Sequence, residues 1–243
     1  MLLEVDNLHA HLHLRRGILR AVDGVSLHVA EGETLGLVGE SGSGKTMTGL
    51  SLLRLLPKGS GRIAAGTIRL DGQDLTTLSE TQLARDIRGR RIAMIMQDPM
   101  TSLNPVFSIG DQVANPLRNH DIARGTRLRA AVVDVLTRVR IPSPSDRLGD
   151  YPHQFSGGQR QRVVAAMAIG CTPRLLIADE PTTALDVTIQ VQIIALLRQI
   201  RAGFHDLAGV HHGDAVAQAG GDAEVVGDED DAGPGVEIGR AHV

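Results

Sequence analysis

The sequence contains little cysteine and few aromatic residues. Its 243 residues include one cysteine, no tryptophan and 2% aromatic residues in total. A lone Cys171 excludes an internal disulfide framework and any zinc or iron–sulfur site built from several cysteines. No apolar run reaches the ~18–20 residues of a membrane-spanning helix, and the first residues lack the pattern of a signal peptide. We therefore expect a soluble chain in a reducing compartment.

The net charge of −3 conceals an uneven distribution. Residues 1–201 contain 24 basic and 19 acidic residues, a balance of +5. Residues 202–243 contain one arginine and nine acidic residues, a balance of −8. The positive balance of the longer segment is too modest to indicate nucleic-acid binding. The acidic segment is typical of an interaction tail.

Residues 1–201 alternate between short apolar runs and helical patterns. The runs that predict buried strands are Thr34–Val38, Ile92–Met96 and Leu175–Ala178, and the helical patterns are Thr46–Leu56, Ser156–Ile169 and Val187–Arg201. Such alternation predicts an α/β layered fold with a parallel sheet. After residue 202 the periodicity disappears.

A glycine-rich loop joins the first buried run to the first helical pattern. Its residues fit the spacing G-x-x-x-x-G-K-[ST] and are Gly39, Glu40, Ser41, Gly42, Ser43, Gly44, Lys45 and Thr46. Glycines let backbone N–H groups point at phosphate oxygens, and the following helix adds its positive end. Lys45 would reach the β- and γ-phosphates and Thr46 would bind Mg²⁺. The strand before and the helix after favour this interpretation over an ordinary glycine turn.

Polar residues follow two other predicted strands. Asp179 and Glu180 end the run Leu175–Ala178, and Gln97 follows the run Ile92–Met96. Strand ends of such sheets form the ligand crevice. There Asp179 could hold Mg²⁺, Glu180 could polarise a water as general base, and Gln97 could contact the metal or that water. Alone, each is also compatible with a solvated loop.

A second glycine pair begins a helix. Ser156, Gly157, Gly158 and Gln159 offer unobstructed backbone N–H groups and a hydroxyl, which suits an anion at a helix N-terminus. Two glycines in a loop do not by themselves distinguish this from a turn.

Together these residues resemble the ATP-binding subunit of an ABC transporter. Gly39–Thr46 matches the Walker A loop, Gln97 the Q-loop, Phe155–Arg162 the signature motif, Leu175–Glu180 Walker B, and Ala184–Asp186 the D-loop. The match covers about residues 1–201. Segments such as Gln97–Pro105, Tyr151–Gln154 and Leu185–Thr188 resemble the dipeptide/oligopeptide (and nickel) importer branch.

The resemblance implies a fold and a function. The fold is a P-loop NTPase with a parallel-sheet core, an N-terminal antiparallel β subdomain and a helical subdomain at about residues 98–170. The function is hydrolysis of ATP, with Mg²⁺, to power import of di- or oligopeptides. Glu180 and Gln97 are the implied catalytic residues, and Thr46, Gln97 and Asp179 the implied Mg²⁺ ligands. The family's adenine-stacking aromatic is missing, and Arg16 or Ile18 could cover the base instead.

The resemblance also implies partners and a location. Two ATPase domains, identical or paralogous, would close head to tail, so that Ser156–Gln159 and Asp186 meet nucleotide bound by the other domain. Membrane permease subunits would bind this pair at the cytoplasmic face, and an extracytoplasmic solute-binding protein would act through the permease. Two other interpretations stay open: a soluble ABC ATPase that acts on nucleic acid or ribosomes, and a truncated nucleotide-binding fragment without turnover.

No histidine fits the family's switch position, which falls near residue 213 at the end of an apolar strand. His205 comes only 19 residues after Asp186, and neither it nor His211 and His212 follow such a strand. Reading residues 230–224 backwards with complemented codons allows Ile-Phe-Ile-Thr-His-Asp-Leu, which resembles the missing strand. Residues 237–243 resemble a translated sequencing adapter. We therefore interpret 202–236 as antisense translation and 237–243 as adapter; a genuine acidic, disordered tail is the alternative.

This interpretation predicts that the 243-residue chain folds poorly and hydrolyses ATP weakly or not at all. The missing strand would leave backbone groups of the parallel sheet unpaired. Steady-state ATPase measurements on the purified chain check this, and normal turnover would contradict it. The reverse complement of the underlying nucleotides provides an independent check, because it should encode a histidine-containing strand.

Overall fold

The computed structural model describes residues 1–97, 102–182, 187–207, 215–218 and 237–240. The chain divides into two compact units, one formed by residues 1–87 with 212–243 and the other by residues 88–211. Strands of the described residues are β1 (Leu3–Leu14), β2 (Gly17–Val29), β3 (Thr34–Val38), β4 (Gly61–Leu70), β5 (Gln73–Asp74), β6 (Ile92–Ile95), β7 (Leu175–Ala178), β8 (Ala215–Gln218) and β9 (Glu237–Arg240). Helices are α1 (Lys45–Leu52), α2 (Glu80–Gln82), α3 (Ile109–Asn119), α4 (Thr126–Arg138), α5 (Gly157–Ile169) and α6 (Val187–Leu207).

The first unit contains an antiparallel sheet with the strand order β2-β1-β4-β5. Alternate residues of β1 are buried on either side of an irregularity, Leu3 and Val5 before it and Leu8 and Ala10 after it. This period of two places apolar side chains on one face of the strand and polar ones on the other. The N-terminal antiparallel β subdomain that the family resemblance implies is thereby confirmed.

Strand β3 lies in the same unit and is paired along both edges. It pairs in parallel with β8 over Thr34–Gly36 and antiparallel with β9 over Leu35–Val38. The sequence predicts neither β8 nor β9, because its periodicity ends near residue 202. The structure differs because a strand edge needs partners for its N–H and C=O groups, and the short run Ala215–Gln218 supplies them.

The second unit is built on a parallel pair of strands and a group of helices. Strands β6 and β7 pair in register from Ile92–Leu175 to Ile95–Ala178, and all four residues of β7 are buried. A serine begins α3, since the Ser108 side chain accepts a hydrogen bond from the N–H of Asp111. Parallel pairing and burial on both faces agree with the continuous apolar runs of the sequence.

Most predicted elements match within a few residues. The predicted strand Leu175–Ala178 has the same bounds in the structure, whereas α1 ends four residues before Leu56. Helix α6 continues to Leu207 instead of ending at Arg201. Across the described ranges, no helix is both long enough and apolar enough to cross a membrane.

Gly66 accommodates an irregularity between β1 and β4. The pairs Asp6–Thr67 and His9–Ala65 leave Asn7 and Leu8 opposite this single residue, which is a β-bulge. Gly66 has φ +92°, and a Cβ there would lie 2.3 Å from the Asn7 carbonyl oxygen.

We predict that Gly66→Ala lowers the free energy of unfolding by about 3 kcal/mol or more, because it combines a left-handed backbone with a clash against a main chain. Gly59→Ala is the matched control, since Gly59 has φ +79° and open space at its Cβ position; its cost should be about 1–2 kcal/mol. Urea unfolding of both variants measures the difference. Equal costs would show that the bulge tolerates a side chain.

Candidate functional site

The loop between β3 and α1 is shaped by a left-handed glycine. Gly44 precedes the helix with φ 97° and ψ 6°, a conformation that other residues rarely adopt. Its carbonyl accepts hydrogen bonds from Thr48, at 2.8 Å from the backbone N and 3.0 Å from Oγ1. The helix therefore begins at Lys45, with the N–H groups of its first turn directed toward the loop.

The Lys45 ammonium folds back over this loop. Its Nζ donates to the carbonyl oxygen of Gly39 at 2.5 Å and to that of Glu40 at 3.0 Å. Ser43 is 7% exposed, and its Oγ is buried without a hydrogen-bond partner. A Cβ at Gly42 would meet no atom within 4 Å. A cation, helix N–H groups, an unsatisfied hydroxyl and open space together fit an anionic group such as phosphate.

The other loop residues lie around this centre. Glu40, Ser41 and Gly42 are exposed, and Thr46 is half-buried in the first turn of α1. The structure thus places all eight predicted loop residues in the first unit, on one strand–loop–helix segment.

In the second unit, the register of β6 and β7 brings two predicted residues together. The N–H of Asp179 donates to the carbonyl of Ile95 at 2.9 Å, which extends the strand pairing by one step. Beyond it, Gln97 Nε2 donates to Glu180 Oε2 at 2.7 Å. These two residues are 83 positions apart in sequence. The contact agrees with the expectation that strand ends collect the polar residues.

The two acidic residues differ in environment. Asp179 is 5% exposed, whereas Glu180 is half-buried and its backbone has φ 43°. A non-glycine residue in the left-handed region is strained; such residues occur in turns and also cluster at functional sites. The turn aims the Glu180 carboxylate toward Gln97 instead of continuing the strand.

The predicted signature residues cap α5. The Ser156 side chain accepts from the N–H of Gln159 at 3.3 Å, and Gln159 Oε1 accepts from the Ser156 N–H at 3.0 Å. This reciprocal capping box fixes the start of the helix. Ser156 and Gly157 are exposed, while Gly158 is buried because its Cβ position lies 2.8 Å from Ile189 Cγ2 of α6.

Two hydrogen bonds behind the signature helix were not predicted from the sequence. Gln161 is 1% exposed, and its Nε2 donates to the carbonyl of Pro181 at 2.8 Å. Gln190 of α6 donates to the carbonyl of Thr182 at 3.2 Å. Both amides hold the segment that follows Glu180. A buried glutamine on the apolar face of a predicted helix is the signal that could have identified the first of these bonds.

Two arginines of the same motif serve the local fold. Arg160 Nε donates to the carbonyls of Pro152 and Phe155 at 2.8 and 2.9 Å. Arg162 donates to the carbonyl of Val139 at 3.2 Å, and burial lowers its pKa, with Arg140 nearby acting in the same direction. Both arginines are half-buried, and these hydrogen bonds join the start of α5 to neighbouring loops and to the end of α4.

Several sequence expectations concern residues near or after the D-loop. Asp186 lies outside the described residues, as do His211 and His212. His205 falls within α6, not after a strand. Strand β8 ends at Gln218, and the next histidine in the sequence is His242. The strand beside β3 is therefore not followed closely by a histidine.

Comparison with known proteins gives consistent results. The chain is 48% identical over 200 residues to the dipeptide transport ATP-binding protein DppD of Escherichia coli, covering 82% of this chain and 61% of that protein. It is 46% identical over 204 residues to the oligopeptide transport ATP-binding protein AppD of Bacillus subtilis, covering 84% and 62%. The chain thus spans about three fifths of the length of these relatives.

A solved structure supports the fold. The chain resembles a dimeric ATP-binding cassette in a post-hydrolysis state bound to ADP and Pi, with a TM-score of 0.71, 26% identity, and coverage of 90% of this chain and 88% of that one. The P-loop ATPase fold with its antiparallel and parallel sheets is thus confirmed. Because the ABC transporter family model also matches residues 22–183, the chain belongs to the ABC transporter family.

Proposed function

We propose that the parent protein, whose ATPase domain residues 1–201 represent, binds and hydrolyses ATP to power an ABC importer of di- or oligopeptides, whereas the 243-residue chain as it stands hydrolyses ATP weakly or not at all. The observation that carries the proposal is the Lys45 ammonium, which lies 2.5 and 3.0 Å from carbonyl oxygens of its own glycine loop. The names of the relatives, which refer to peptide transport, support this substrate class over nucleic acid. Residues 1–201 are the proposed nucleotide-binding domain.

In this proposal the loop Gly39–Thr46 binds the phosphates of ATP. Lys45 can exchange its contacts with loop carbonyls for contacts with β- and γ-phosphate oxygens, which bind a cation more strongly than neutral carbonyls do. The buried Ser43 hydroxyl lacks a partner and gains one when phosphate is bound. Loop and first-turn N–H groups then complete the set of donors.

Mg²⁺ would be held by Thr46, Gln97 and Asp179. All three provide oxygen atoms, which Mg²⁺ prefers as ligands. When bound, the ion neutralises phosphate charge and holds the phosphates in a fixed orientation. Asp179 is suited to the metal shell because it is buried at the end of β7.

Glu180 is the proposed general base. Its Oε2 accepts a hydrogen bond from Gln97 at 2.7 Å, which orients the carboxylate that would accept a proton from the attacking water. Gln97 therefore has two roles in the proposal, as a metal ligand through its oxygen and as a positioning group through Nε2.

Pairing with a second ATPase domain would supply the remaining contacts to the nucleotide. We place Ser156, Gly157, Gly158 and Gln159, together with Asp186, against nucleotide bound by a second ATPase domain. Permease subunits hold the pair peripherally at the cytoplasmic face of the membrane, and a solute-binding protein acts indirectly from the other side. Exposed N–H groups at the start of α5 suit the terminal phosphate of the partner's nucleotide.

Lys45→Ala should weaken ATP binding by at least about 10-fold, because hydrogen bonds from a charged group contribute ~1.5–3 kcal/mol each. Lys58→Ala is the matched control, since Lys58 is the chain's other lysine and is exposed. Titration with a fluorescent ATP analogue measures both variants without any need for turnover. Similar affinities for the two variants would remove the loop from the proposed site.

Glu180→Gln should reduce residual ATP hydrolysis by about 100-fold or more while leaving ATP affinity unchanged, since a general base contributes ~10²–10⁴ in rate. Radiolabelled ATP provides the sensitivity needed for slow turnover. Asp134→Asn removes an exposed acid of α4 and serves as the control. Unchanged hydrolysis in Glu180→Gln would assign the base to another residue.

A further inference from the structure

We propose that His9, His11 and Asp23 form a binding site for a divalent transition metal such as Zn²⁺ on the outer face of the N-terminal sheet. In the described residues, one ligand atom from each of these side chains lies within 4.8 Å of the others. Both histidines are on β1, and Asp23 is on the adjacent β2. Neither the sequence motifs nor the proposed ATPase mechanism gives these three residues a role.

An ordinary surface ion pair between His9 and Asp23 does not explain the position of His11 beside them. His9 Nδ1 already lies 2.7 Å from Asp23 Oδ1, and that hydrogen bond accounts for two of the three residues. Nε2 of His11, by contrast, is buried without a hydrogen-bond partner. A buried imidazole nitrogen without a partner carries an uncompensated desolvation cost. A metal ion would use this nitrogen as a ligand and remove that cost.

The surroundings of His9 suit a metal ligand. Its Nε2 lies 3.1 Å from Asn7 Oδ1, so this nitrogen can donate its proton to the amide oxygen. The other nitrogen, Nδ1, is then left for the metal beside the Asp23 carboxylate. Metal-binding histidines commonly donate their second N–H to an oxygen in this way, which fixes the ring orientation.

The distances require only small movements. Zinc–nitrogen and zinc–oxygen bonds are ~2.0–2.2 Å, so neighbouring ligand atoms in a tetrahedral site lie roughly 3.3 Å apart. His9 Nδ1 and Asp23 Oδ1 are 2.7 Å apart, and the ligand atoms of all three residues lie within 4.8 Å of one another, so each needs to move by no more than about 1–2 Å to reach that spacing. In effect the ion replaces the proton between His9 and Asp23 and draws in His11. Water completes the coordination.

Charge and access also favour a cation. The Asp23 carboxylate supplies an anionic oxygen, the kind of ligand that a divalent cation favours. Arg20 contacts the other oxygen, Oδ2, at 3.4 Å and leaves Oδ1 to the site. Asp23 is 46% and His9 25% exposed, so an ion can enter from solvent. The positive charge of Arg20 should make the site weaker than a closed structural zinc site.

Irregular pairing of the two strands brings His9, His11 and Asp23 together. The pairing of β1 with β2 shifts register between Leu8 and His9 and again between Ala10 and His11. Such bulges redirect side chains and occur often beside functional sites. A bound ion would link β1 to β2 across these irregular pairs and so stabilise the hairpin.

The test is competition for Zn²⁺ between the full chain and a chromogenic chelator. His11→Ala should lower the affinity of one zinc equivalent by at least about 10-fold. His13→Ala is the matched control, because His13 is an exposed residue of the same strand, two positions further on, and is not part of the cluster. The His13→Ala variant should bind zinc as tightly as the unmodified chain. This result would show that loss of a histidine outside the cluster does not by itself weaken zinc binding. Equal zinc binding by His11→Ala and His13→Ala overturns the proposal.

Asp23→Asn provides a second test of the site in case the His11→Ala variant does not fold. It retains the shape of an exposed side chain but removes the anionic ligand, and should also weaken the zinc equivalent by at least about 10-fold. Circular dichroism establishes that each variant is folded. Zn²⁺ should raise the Tm of the unmodified chain more than that of Asp23→Asn, since a ligand stabilises the state that binds it. An unmodified chain that binds no Zn²⁺, or an Asp23→Asn chain that binds it equally well, contradicts the site.

Discussion

The parallel pairing of β6 with β7 is the constraint on which the second unit's candidate residues depend. Four residues of each strand align in register, and the Asp179 N–H extends the pairing to Ile95. Because side chains alternate along a strand, a slip of one residue would turn every side chain to the opposite face. The contact between Gln97 and Glu180 exists only in this register. Four buried apolar residues in β7 specify it, so the chemistry at the strand end relies on packing behind it.

Much of this arrangement could be predicted from the sequence, since the strong signals are local. Apolar runs specified β3, β6 and β7, and glycine spacing indicated the loop that ends at Lys45. The helix start at Ser156 also follows from a local pattern, the capping box with Gln159. The roles of these residues rest on chemistry and family resemblance, whereas their placement follows from strand and helix geometry.

What the sequence did not reveal depends on contacts between distant segments. Strands β8 and β9 have weak patterns and form because β3 presents edges to be paired. A glutamine on the apolar face of α5 indicates a buried hydrogen bond but does not identify its partner, since Gln161 bonds to Pro181, 20 positions away. The His9, His11 and Asp23 cluster needs the register of two irregular strands. The sequence shows histidines at alternate positions of β1, but it does not show that Asp23 of β2 lies beside them.

The capping box of α5 has a consequence for recognition. Ser156 and Gln159 use their side chains to hold each other's backbone N–H groups, and Gly158 is packed against Ile189. The side chains that make this motif recognisable therefore serve the helix first, before any ligand is present. What the motif offers to a ligand is main chain, namely the N–H groups of Gly157 and Gly158, because those of Ser156 and Gln159 are already used in the capping box. Selectivity at this helix N-terminus comes from the geometry and charge of an approaching oxygen. The N–H groups already have their binding orientation before a ligand arrives.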